Sequence, residues 1–237
     1  MGYRYVVDEP TEDVRGISLG VLSRLPVVRI VSHRLVELEE GGTSRGDAGV
    51  TGENGRQDAG VTGAVGRQDA GVTEEGGNRF ARDLLRVDVE VRKGYVVSVY
   101  GVHLKSKLGD DEKTVNKWRL AEAKKARAII REEMTRELQG QFVVLGDCND
   151  VVGSPVVKTL EEAGDLGDGA QLVDVLAALP AGERVTFESG RMKDAVDFLW
   201  VSPGLAGRVE GAGEILRGGA FEKASDHRPV RVRLRAE

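Results

Sequence analysis

A single cysteine, Cys148, occurs in 237 residues, which excludes an internal disulfide and leaves the fold to be held by its core. That scarcity fits a reducing compartment. Aromatic residues make up only 5% of the chain, so Val, Leu, Ile and Ala must build the core. The same shortage leaves no cluster of rings on which nucleic-acid bases would stack. No apolar run approaches the roughly 18 residues of a membrane span, and no amphipathic lipid anchor is evident. The N-terminus, MGYRYVVDEPTED, has no apolar leader region, so a cytoplasmic protein is expected if Met1 is the true start. Nor is there an excess of positive charge. The formal net charge of −5 argues against a polycation that coats nucleic acid indiscriminately.

What is there is unevenly spread. Hydrophobic residues reach 40%, sufficient for a core, and the length is enough for one large domain or two small ones. From His103 to Arg131, nine Lys and Arg stand against four Asp and Glu. This local +5 is either a solvated helix or a face for an anion. Between Arg45 and Gly77 three copies of an 11-residue unit follow one another: RGDAGVTGENG, RQDAGVTGAVG and RQDAGVTEEGG. Glycine recurs several times per copy and would ruin a helix. With Val as the main large apolar residue, the copies cannot form a core, so residues 41–78 read as a flexible insertion in a single domain spanning 1–237. A small β-solenoid or ligand-binding array is the functional alternative.

The flanking sequence is patterned. GISLGVLSRLPVVRIVSHRLVEL predicts two strands with a turn at Leu25-Pro26, and LLRVDVEVRKGYVVSVYGVHL predicts a hairpin around Lys93-Gly94. A helix is expected over about 112–138. Val115, Trp118, Ala126, Ile129 and Ile130 share one of its faces, and Asp110 and Asp111 stand where an N-cap belongs. A strand at 142–145, a helix at 155–163 and strands near 196–201, 208–216 and 229–234 complete the pattern. Strands outnumber helices and come largely in pairs, which predicts an α/β protein with mixed or antiparallel sheets.

Chemistry gathers where strands end. VVLGDCND runs a buried strand into Asp147, Asn149 and Asp150. Grouped carboxylates repel one another, and a hard divalent cation such as Mg²⁺ is their natural partner; a plain turn is the competing reading. KASDHRPV places Asp226 and His227 before the last strand. Neighbours in an extended segment point opposite ways, so Asp226 can face a metal while His227 takes a proton from water. Asp197 interrupts the apolar strand of DAVDFLWVS, and a histidine held in one tautomer needs such an acid. In YGVHLKSK, His103 ends a strand and Lys105 and Lys107 follow, suited to a phosphate. Each string also has a structural reading, as a surface loop or a strand end.

Together GVHLKS, VVLGDCND, RVTFESGRMKDAVDFLWVS and SDHRPV, in this order, resemble the endonuclease/exonuclease/phosphatase superfamily, whose fold is deoxyribonuclease I-like. DVRGISLGVLSRLPV resembles the strand pair that precedes them. The resemblance spans nearly all of the chain outside the repeats. It implies a two-sheet β-sandwich flanked by helices and metal-assisted hydrolysis of a phosphate ester with Mg²⁺ or Mn²⁺. It implies His227 as general base, Asp197 orienting it, and Asp226 as a metal ligand. Asp147 and Asn149 would position water, phosphate and a metal. His103 would donate to the phosphate, with Lys105 beside it. Cys148 reads as a packing residue.

The chain departs from the family pattern at its start. The family's opening strands carry an Asn and a metal-binding Glu, and neither is found ahead of MGYRYVV; Glu9 and Glu12 lie in a loop-like stretch. An N-terminally truncated version of the fold is therefore expected, with one sheet edge unpaired. Three functions follow. One is a metal-dependent phosphoesterase, nuclease-like by default. The second is an inactive member that binds an anionic partner, and the third an interaction protein completed by another chain at the open edge.

Overall fold

The computed structural model describes residues 2–11, 13, 15–39, 66–69, 79–107, 111–136, 140–162 and 171–236. Alternating, Val-rich stretches become strands. β1 (Tyr5–Asp8) and β2 (Gly20–Ser23) form an antiparallel pair. β3 (Val27–Ser32) follows the Leu25-Pro26 turn, as the sequence predicts. Its outer neighbour is β4 (Gly66–Asp69), parallel to it. β4 is the junction of the second and third repeat copies, so part of the stretch expected to be a loop joins the sheet edge. An edge strand needs backbone partners more than apolar side chains, and β3 offers them. The other repeat residues lie outside the described ones.

β5 (Leu84–Arg92) and β6 (Tyr95–His103) make the expected hairpin, with Gly94 at φ 75° in its turn. The chain then crosses over through α1 (Glu112–Arg136) to β7 (Phe142–Asp147), parallel to β6. A parallel neighbour requires such a crossover. The Asp111 carboxylate accepts the Thr114 N–H at 3.1 Å and caps α1; Asp110 lies outside the described residues. After α2 (Pro155–Glu161) come β8 (Val173–Asp174), β9 (Phe187–Ser189), β10 (Met192–Asp194) and β11 (Asp197–Val201). α3 (Pro203–Ala206), β12 (Glu214–Ile215), α4 (Ala220–Ala224) and β13 (Val230–Arg231) finish the chain. The main sheet has the order β4-β3-β5-β6-β7-β11-β8.

Alternation sorts the two layers. Phe142 and Val144 of β7, with Phe198 and Trp200 of β11, pack with Ala123, Ala126 and Ile130 of α1 and with Val156, Val157 and Leu160 of α2. Phe198 and Trp200 stack at 4.9 Å, and the indole N–H donates to Glu161 at 3.1 Å. The intervening Val143, Leu199 and Val201 pack with Val230, Val232 and Leu234. Farther along the sheet, Val7, Leu19 and Val21 pack on Leu85, Val87 and Val89, and Val99 touches both groups. Among the described residues, the second layer thus includes two separate pieces, β1–β2 and β12–β13. An apolar cavity of about 400 Å³ lies against this face, lined by Val97, Val143, Leu199, Val230 and Leu234 among others.

The C-terminal strands are shorter than the sequence suggests. Only Glu214–Ile215 pairs with Val230–Arg231, and an isolated bridge joins Val209 to Leu234. Two glycines interrupt the run. Gly211 has φ 74°, and a Cβ on Gly213 would meet Val175 at 2.7 Å. Among the described residues, no helix is long and apolar enough to cross a membrane.

α2 begins as local chemistry dictates. The Ser154 hydroxyl accepts the Val157 N–H at 3.2 Å, and Pro155 follows in the first turn. Ser154→Ala is expected to lower stability by about 1 kcal/mol in urea unfolding. An unchanged midpoint would mean that burial of Val156, Val157 and Leu160 fixes this helix without its cap.

Candidate active site

Three strands of the main sheet deliver side chains to one end. Register pairs Asp147 with Asp197 across β7 and β11, and His103 with Asp147 across β6 and β7. By alternation Asp197 shares a face with Leu199 and Val201, the face that packs on the second layer. His227 enters from the segment before β13, bridged by its backbone to Phe187 of β9. The two rings lie 4.9 Å apart.

The distances make one constellation. His227 Nδ1 is 2.8 Å from Asp197 Oδ2. His227 Nε2 is 3.9 Å from Asp147 Oδ2, and His103 Nε2 is 3.5 Å from the same oxygen. Asp147, Asp197 and His227 each offer a ligand atom within 4.8 Å of the others. Asp147 Oδ1 accepts the Asn149 N–H at 2.7 Å, closing a turn that puts Asn149 at φ 49°. The Asn149 side-chain amide donates to Leu104 O at 3.0 Å, which ties the loop after β7 to the loop after β6.

The electrostatics follow from this crowding. Burial, and next the Asp197 charge, push the Asp147 carboxyl up to about 6. Burial, and next the Arg82 guanidinium, hold His103 down at about 4, so it is neutral near pH 7. The Asp197 hydrogen bond lifts His227 above the usual histidine range, against the opposing effect of burial. Two carboxylates and an imidazole facing one another would be relieved by a cation, and the donor set suits a hard divalent ion.

Not every expected residue joins the cluster. Asp226 is exposed and lies outside the Asp147–Asp197–His227 group, although its charge reaches His227. The Lys105 ammonium rests over the Trp118 ring at 4.5 Å, and Lys107 sits 3.6 Å from Asp150. The basic stretch is less of a surface than its charge suggests, because Arg119 and Arg127 are buried. Glu9 is also buried, and Glu12 lies outside the described residues. Cys148 is fully buried in the helix-side core, and burial raises its thiol well above the usual range. It should resist iodoacetamide in the native protein and react at once in urea. Rapid native labelling would contradict its placement.

Sequence reasoning missed Arg82, Asp13, Arg119 and Glu122. Arg82 is buried, donates to Leu104 O at 2.8 Å and pairs with Asp13 at 3.0 Å. Nothing in the local pattern marks it. Arg119 and Glu122 did leave a signal. They fall between Val115 and Ala126 at helical spacing, on the apolar face of α1, where a charge is out of place.

No protein-family model matches the sequence. No curated protein sequence matches it either. Solved structures do. SmcL superposes with TM-score 0.56 at 14% identity, over 96% of this chain and 76% of that one. Beta toxin from Staphylococcus aureus gives 0.55 at 13% identity, over 98% and 78%. The 3′ phosphatase NExo from Neisseria, solved with a product DNA hairpin, gives 0.48 at 21% identity, over 68% of this chain and 66% of that one, just under two thirds of its length. At these identities the likeness speaks of architecture: the chain has the deoxyribonuclease I-like α/β sandwich, the fold of the endonuclease/exonuclease/phosphatase superfamily that its motifs resemble.

Proposed function

We propose that this chain is a divalent-metal-dependent phosphoesterase that hydrolyses a phosphodiester with an activated water. The observation that carries the reading is the 2.8 Å contact between His227 and Asp197 beside the half-buried Asp147. Asp197 accepts the Nδ1 proton, so neutral His227 presents Nε2 as a base toward water. The acid also stabilises the imidazolium formed when the proton arrives. His103 is neutral and donates a hydrogen bond to a phosphate oxygen as its charge grows.

Asp147 and Asn149 are the residues that would hold Mg²⁺ or Mn²⁺, with Asp226 as a further oxygen ligand on the strength of the motif resemblance. When bound, such an ion supplies a Lewis acid for the phosphoryl oxygens. Asn149 also shares the placing of the phosphate with His103, and Lys105, two residues on in the chain, is a further phosphate-binding group on the strength of the motif resemblance. Nucleic acid is the default substrate, supported by the exposed Lys113, Lys117 and Lys124 along α1.

The test is hydrolysis of bis(p-nitrophenyl) phosphate and of plasmid DNA with Mg²⁺ or Mn²⁺, by the wild type and by His227→Ala. Metal-dependent turnover that the substitution removes supports the reading. A folded wild type without turnover would return the chain to the second function, an anion-binding module.

A further inference from the structure

Two buried charge clusters tie α1 to the rest of the fold. In one, Arg86 bonds Asp88 at 2.7 Å, Glu133 at 2.8 Å and Ser98 at 3.1 Å, all away from the candidate site residues. The other is Arg82, Arg119 and Glu122, at most 2% exposed. Burying ions is costly, and hydrogen bonds must satisfy them. In this second cluster Arg82 and Arg119 also reach the side chains of Asp13, Asn116 and Asp150, and of the four bonds to backbone three run to two residues, Leu104 and Lys105.

Glu122 accepts the Lys105 N–H at 2.6 Å with one oxygen and the Ala81 N–H at 2.7 Å with the other. Arg119 donates to Lys105 O at 2.9 Å. Arg82 donates to Leu104 O at 2.8 Å, the oxygen that also takes the Asn149 amide at 3.0 Å. Arg119 Nε further reaches Asp150 at 3.4 Å. Every polar backbone group of Lys105, and the carbonyl of Leu104, is thus held by a side chain. His103 stands immediately before this segment, and Asn149 hangs from it.

We infer that Glu122 and Arg119 are positioning residues, which hold the 104–105 backbone so that His103 and Asn149 share one fixed geometry around Asp147. The inference rests on the phosphoesterase reading for its kinetic consequence, but its structural content stands apart from it. Both charges are needed. The carboxylate fixes the N–H groups, the guanidinium fixes the carbonyl, and loss of either frees the loop.

The experiment compares Glu122→Ala, Glu122→Gln and, as control, Glu133→Gln in the other cluster. With bis(p-nitrophenyl) phosphate and Mn²⁺, Glu122→Ala is expected to lower kcat by about 10²-fold with KM nearly unchanged. Glu122→Gln keeps one carbonyl oxygen for one N–H and should recover much of that loss. Glu133→Gln should destabilise the fold comparably by circular dichroism and leave kcat in place. An equal kcat loss in the control would make the role merely structural and overturn the inference.

Should the wild type not turn over, the phosphoesterase reading fails and the inference is judged by nuclear magnetic resonance. Glu122→Ala then has to shift the His103 ring and Asn149 side-chain signals and speed amide exchange at Lys105. Unmoved signals and unchanged exchange would overturn it.

Discussion

His227→Ala is expected to reduce metal-dependent hydrolysis of bis(p-nitrophenyl) phosphate by about 10²–10⁴-fold, with little change in thermal stability. The size follows from the role of a positioned base. The mild effect on folding follows from place, since the side chain is one-third exposed and precedes a two-residue strand. Asp197→Asn should come close to the same loss. An amide in that position can offer a donor to Nδ1, which selects the tautomer whose Nε2 carries the proton and cannot take another. The pair of variants therefore separates two accounts. If His227→Ala is inactive while Asp197→Asn retains full turnover, the 2.8 Å contact is structural and the orienting role falls. If both collapse while far-ultraviolet circular dichroism is unchanged, the dyad acts as one unit.

The site was more legible in the sequence than the layer that covers it. Asp147, Asp197 and His103 are polar residues at the ends of apolar strands, and strand alternation alone sends them to one face. Their meeting across three strands needed the register, which the motif order implied and the structure shows. Asp226 illustrates the limit of alternation. Asp226 sits in a bend between α4 and the bridged His227 and is exposed, a place where strand alternation does not apply. Lys105 shows another limit, because a sequence cannot reveal that Trp118 lies 4.5 Å from its ammonium. The strand within the repeats escaped notice because its pairing with β3 is a backbone matter, silent in side-chain pattern. Arg119 and Glu122 were visible as charges on an apolar helix face. Their pairing with backbone of the 104–105 segment depends on tertiary contact, which helical spacing alone does not carry.

Gly146→Ala is expected to cost about 4 kcal/mol or more, among the largest effects a single methyl can have. The backbone there has φ 141°, and a Cβ would stand 1.9 Å from Val102 O, with the Val102 carbonyl carbon and nitrogen at 2.9 and 3.1 Å. These are backbone atoms of the adjacent strand, so no side-chain rotation can relieve the overlap. β6 and β7 would have to part where Val102 pairs with Gly146, one residue before His103 pairs with Asp147. Gly101→Ala is the matched control. It lies in the same strand pair opposite Leu145, and its nearest contact would be the flexible Leu19 side chain at 3.8 Å. Its stability should stay within about 1 kcal/mol of wild type. Urea unfolding of both variants decides the matter, and a Gly146→Ala protein as stable as Gly101→Ala would show that the strands do not approach as described. Any folded fraction of Gly146→Ala should also lose turnover, because the same close approach that forbids the methyl brings His103 to within 3.5 Å of Asp147. The glycine in VVLGDCND is thus what lets a buried strand end in so much negative charge beside a histidine.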